Sequence, residues 1–97
     1  MVFLSFKIAK YMEAVMEKRV ALIGIIVENL DSTPQINDIL HEYAKDIIAR
    51  LGVPYRERDV CIISIVIDAP QDKISALSGR LGRIDGVSVK AMYTKEK

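Results

Sequence analysis

Two stretches of the chain, "RVALIGIIVEN" at 19–29 and "VCIISIVID" at 60–68, are almost continuously apolar and rich in Val and Ile. Runs of this length and β-branched content read as strands buried on both faces. Side chains alternate across a strand. One set is Ala21, Ile23, Ile25 and Val27 with Cys61, Ile63, Ile65 and Ile67. The other is Val20, Leu22, Gly24 and Ile26 with Val60, Ile62, Ser64 and Val66. Both sets are mostly apolar, so both faces of the sheet need a cover.

The segments between these runs supply one cover. After "DSTPQIND", with Ser32 or Thr33 as N-cap and Pro34 in the first turn, the spacing of Ile36, Ile39, Leu40, Tyr43, Ile47 and Leu51 predicts a helix to about Leu51, stopped by Gly52. Val53–Arg56 then reads as a brief edge strand, where Pro54 is tolerated. Pro70 opens a second helix whose inner face carries Ile74, Leu77, Leu81 and Ile84. Asp85-Gly86 turns the chain into a last strand, Val87–Thr94, with Val87, Val89 and Ala91 on one face and Ser88, Lys90 and Met92 on the other.

The order is strand, helix, short strand, strand, helix, strand. This is the split β-α-β pattern of an α+β, ferredoxin-like fold, with both helices on one face of an antiparallel sheet. The helices cover the set that contains Ile23 and Ile65. The other face, made of Val20, Leu22, Gly24, Ile26, Ile62, Ser64, Val66 and Met92, is expected to be an interface between subunits of a dimer or tetramer. Residues 1–15 are the alternative cover within the chain.

Residues 1–15, "MVFLSFKIAKYMEAV", form only a ragged apolar stripe. "MEKRVALIG" after them is a natural protein start, and Met12-Glu13-Ala14 can be encoded with a ribosome-binding GGAGG core. The expectation is an extension over 1–15, either an upstream mis-start or a short helix packing on the sheet, followed by a single domain over 16–97.

Lys and Arg number 14 against 13 Asp and Glu, a net charge of +1. That balance, without a basic stripe, argues against nucleic-acid and membrane-surface binding. One cysteine excludes an intrachain disulfide and agrees with a cytoplasmic location. His41 is the only histidine. With Cys61 it falls short of a metal set, unless an oligomer assembles more ligands from neighbouring chains. No cofactor is implied. The serines have no histidine arranged for a triad, and Asp38 with Glu42 reads as a solvated like-charged pair rather than an acid–base pair. The chain reads as a non-enzyme.

Two features remain as ligand or partner sites. "YRERD" places Tyr55, Arg56 and Arg58 beside the sheet edge, where arginine can take an anion or a partner; a solvated, charge-protected edge is the plainer reading. "SALSGRLGRIDG" carries Gly79 and Gly82 in a helix, at roughly 1 kcal/mol each against alanine. Gly79 points away from the apolar side and joins Ser75 and Ala76 in an outer patch of small residues that permits close approach.

From Met16 onward, and most specifically in "VPYRERDV" and "ISALSGRLGRIDGVSVK", the chain resembles the iron-only hydrogenase system regulators, small ACT-like proteins of anaerobic bacteria. The resemblance implies an ACT-type fold similar to the C-terminal domain of nickel-responsive repressors. It also implies a regulatory role toward the hydrogenase system; joined to the apolar sheet face, this reads as a homo-oligomer that binds a small-molecule ligand or a hydrogenase-system protein. Two other roles stay open: a metal-responsive regulator, and a structural interaction protein without a ligand. Amino-acid-binding ACT domains carry a glycine after the first strand, whereas here the loop is "ENLDSTPQ". The nickel repressors use several histidines and a DNA-reading ribbon-helix-helix, and residues 1–15 are too short and too weakly basic to replace the latter.

Overall fold

The structure, a computed structural model, describes residues 17–95; the expectations for residues 1–15 lie outside them. The elements run β1 (Lys18–Val27), α1 (Thr33–Glu42), β2 (Ile47–Tyr55), β3 (Val60–Pro70), α2 (Gln71–Gly82) and β4 (Val87–Tyr93), with one-turn 3-10 helices at Leu30–Ser32 and Arg56–Arg58. The strands form one antiparallel sheet in the order β2-β3-β1-β4. This is the expected ferredoxin-like arrangement.

Register fixes which face each residue serves. Ile23 lies opposite Ile65 and Ala91, and Gly24 opposite Ser64 and Lys90. Ile23, Ile25, Ile65 and Ile67 are fully buried under the helices, which contribute Ile36 and Leu40 from α1 and Ile74, Leu77 and Leu81 from α2. Each such side chain contributes about 1.5–3 kcal/mol of burial. Slipping any strand by one residue would exchange its two faces. Cys61 sits half-buried at the margin of this core.

The first helix is shorter than its apolar spacing predicts. It ends at Glu42 rather than near Leu51, and Ile47–Tyr55 is a nine-residue strand in place of the four-residue strand at 53–56. The chain leaves the helix through tightened turns: Tyr43 N donates to Leu40 O, Ala44 N to His41 O and Asp46 N to Tyr43 O. Asp46 O then accepts from Asp68 N at the end of the sheet. Pairing decides the outcome, because β3 would otherwise present a long unpaired edge. Ile47 and Leu51 match helical spacing by coincidence. Gly52 caps no helix; it pairs with Ile63 in the edge strand, where a Cβ would meet nothing within 4 Å. Ile48 is the extra residue of a bulge between Ile47 and Ala49.

A latch ties the two helices together on the outside. Arg80 donates to both carboxylate oxygens of Glu42, at 2.9 and 3.0 Å, and its guanidinium lies 5.9 Å from the centre of the Tyr43 ring. That hydrogen-bonded guanidinium holds the Glu42 carboxyl below its ordinary pKa. Lys73 pairs with Asp46 beside it.

At the far end, the loop after β1 is pinned to the turn before β4. Glu28 N donates to Gly86 O at 2.7 Å, and Ser32 Oγ donates to Asp85 O at 3.1 Å. Ser32 precedes α1 but makes no side-chain cap, because its hydroxyl is spent on this junction. Gly86 has φ +73°, and a Cβ there would lie 2.6 Å from Asn29 Cβ and 2.9 Å from Asn29 N. Strain and backbone collision therefore act together. Gly86→Ala is expected to lower unfolding free energy by about 2–4 kcal/mol, measured by urea denaturation; a loss under about 0.5 kcal/mol would contradict this packing.

Candidate functional site

The face of the sheet opposite the helices is the most distinctive surface of the described residues. Cross-strand pairing arranges it in rows. Ala49, Val66, Leu22 and Met92 form one row; Leu51, Ser64, Gly24 and Lys90 the next; Val53, Ile62, Ile26 and Ser88 the third. Leu22 is 43% exposed, Ile26 45%, Ile62 42% and Leu51 63%. Val20 and Met92 are exposed too, while Ser64 and Val66 are half-buried. Large aliphatic side chains thus surround a shallow centre at Gly24 and Ser64. The charges of this face, Glu28, Lys18, Asp68 and Lys90, follow the same alternation and sit at strand ends or on the edge strand. An apolar middle with a polar rim is the anatomy of a protein–protein interface.

All eight residues expected on this face lie on it. Leu51 and Val53 were missed, because helical spacing claimed the first and the short strand left the second unplaced. The paired β-branched residues Ile47-Ile48 and Val53 were the available signal.

The remaining candidates are dispersed. Tyr55 ends β2, with its hydroxyl 3.3 Å from Glu57 Oε2. Arg56 and Arg58 stand exposed in the β2–β3 hairpin, whose last residue, Asp59, takes a left-handed φ of 54°. Ser75 and Gly79 lie on α2, and Ser75 Oγ is 3.5 Å from the Tyr93 hydroxyl. No described hydrogen bond links the hairpin set to the helix set. His41 is exposed on α1, and Cys61 is half-buried on β3. Among the described residues there is no group of three or more His, Cys, Asp or Glu placed to hold a metal, and no helix long and apolar enough to cross a membrane.

Around Gly79 the chain leaves space. Its absent Cβ would meet only Arg83 Nη2, at 3.9 Å, and Gly82 would meet nothing within 4 Å. Neither glycine has a positive φ, so nothing within the described chain requires either one.

A sheet of this order, with both helices on one face, defines an ACT-like domain. It superposes with a TM-score of 0.64 on the ACT domain of the GTP pyrophosphokinase of Chlorobium tepidum, at 20% identity over 82% of this chain and 92% of that one; this similarity concerns the fold alone. Within that class the chain belongs to the TM1266-like family, described as "Iron-only hydrogenase system regulator, putative", whose model matches residues 19–91. The uncharacterized protein TM1266 from Thermotoga maritima is 41% identical, with a TM-score of 0.78 over 81% of this chain and 100% of that one. Proteins of Saccharolobus islandicus called "Putative nickel-responsive regulator" are 30% identical over 66 residues, 68% of this chain. The chain spans about half, 49%, of their length.

Because the space over Gly79 is open, Gly79→Ala is expected to fit and to raise stability by about 1 kcal/mol through helix propensity. Thermal or urea unfolding checks this, and a loss of stability would place an intramolecular contact where the structure has none.

Proposed function

We propose that the chain is a cytoplasmic, non-enzymatic regulatory module of the iron-only hydrogenase system. It works as a homo-oligomer built on the open sheet face and responds to a small ligand or to a protein of that system. The carrying observation is the apolar face itself. Four strands about 4.8 Å apart and seven residues long give a footprint of about 19 by 23 Å. In projection that is about 440 Å², roughly half of the ~800 Å² per partner of a standard interface, so side-chain relief and the rim residues supply the rest. Mixed charges at the rim suit a self-complementary contact, in which each copy offers the same patch. The family description supports the regulatory part.

The name of the Saccharolobus relatives raises a metal-responsive reading. His41 and Cys61 stand on separate elements, α1 and β3, so that reading needs ligands from a second copy. The self-associating module is the reading with a surface to support it.

Leu22 is exposed in the single chain, so Leu22→Asp leaves the core intact. The wild type is expected to sediment as a dimer or larger at about 10 μM, and Leu22→Asp as a monomer with unchanged circular dichroism. Introduced at the chromosomal locus, the same substitution is expected to shift iron-only hydrogenase activity to the level of a deletion strain. A monomeric wild type, or hydrogenase activity indifferent to the deletion, contradicts the proposal.

A further inference from the structure

On the helix side of the sheet, the two helices do not cover all four strands. α2 packs on β4, β3 and β1, while α1 leans on α2 and has no extensive contact with β2. The early end of α1 produces this gap, because the chain turns away at Tyr43 and returns as the edge strand. What remains is a groove of about 380 Å³ between α1 and β2, lined by Asn37, Leu40, His41, Ala44, Ile47 and Arg50.

The lining is divided by chemistry. Leu40 and Ile47 belong to or pack against the core, and with Ala44 they make an aliphatic floor. Asn37 and His41 are one helical turn apart on α1 and flank that floor. Arg50 reaches across from β2 and donates through Nη2 to Asn37 Oδ1. This bond orients the guanidinium over the groove while leaving its other N–H groups free of described partners. Of the acidic residues near the lining in sequence, Glu42 pairs with Arg80 and Asp46 with Lys73, while Asp38 is exposed and has no described partner. Among the described residues, no carboxylate pairs with Arg50.

An oriented guanidinium without a counter-ion, beside amide and imidazole groups and above an aliphatic floor, is a receptor for a carboxylate with a short apolar tail. We infer that the α1–β2 groove binds a small aliphatic carboxylate, its head on Arg50 and His41 and its tail on Leu40, Ala44 and Ile47. The inference rests on the reading of the chain as a ligand-responsive module and names the class of ligand. It does not depend on the open sheet face.

Titration of the full-length, isotope-labelled protein with hexanoate, followed by amide NMR, tests it. Hexanoate is expected to give saturable shifts centred on residues 37–50. Inorganic phosphate, which cannot use the floor, is expected to bind at least about tenfold more weakly, and Arg50→Gln to weaken hexanoate by about tenfold or more. Ala44→Glu, which sets a carboxylate on the floor, serves as a second variant and is expected to abolish binding. The inference is overturned if hexanoate gives no saturable shift, if either variant binds it as the wild type does, or if phosphate matches it. Any of these outcomes leaves the oligomeric state, and the sedimentation result that reports it, unchanged.

Discussion

The structure depends on the pairing of β1 with β3. These are the two central strands, and ten residues of each are in register, from Lys18 opposite Pro70 to Val27 opposite Cys61. Both strands are apolar on both faces, so pairing them creates two apolar surfaces at once. One is buried by Ile36 and Leu40 of α1 and by Ile74, Leu77 and Leu81 of α2. The two helices are committed to that side by the handedness and shortness of the connections. No element of the described chain is left for the other side.

The local devices serve this arrangement. Gly86 lets the turn before β4 close against Asn29, which seats β4 beside β1 in register. The bidentate Arg80–Glu42 pair holds the helices together at the solvent side. With α1 held to α2, the groove over the helix side of β2 stays open. The two uncovered surfaces have separate causes: the sheet face is open because both helices lie on the other side, and the edge strand because α1 ends at Glu42.

Much of this was legible in the sequence. The alternation along residues 19–29 and 60–68 gives both faces, and Ile74, Leu77 and Leu81 give the second helix; Ile84 is buried as expected but lies in the turn beyond the helix end at Gly82. The boundary of the first helix was not legible, because Ile47 and Leu51 satisfy helical and strand spacing alike. Only pairing with β3, a contact between residues far apart in sequence, separates the two. That error also hid the groove: with Ile47 on a helix, His41 falls on a plain outer surface and Arg50 has no groove to face. Gly52 misled in the same way, since a glycine after an apolar period looks like a helix stop and here lies in an edge strand.

The central claim is that a second copy of the chain covers the open sheet face. Its most direct test is the dependence of the thermal midpoint on protein concentration, because association of folded chains stabilises them by mass action. Between about 1 and 100 μM the midpoint is expected to rise by several degrees. A midpoint that stays constant across that range would contradict the claim.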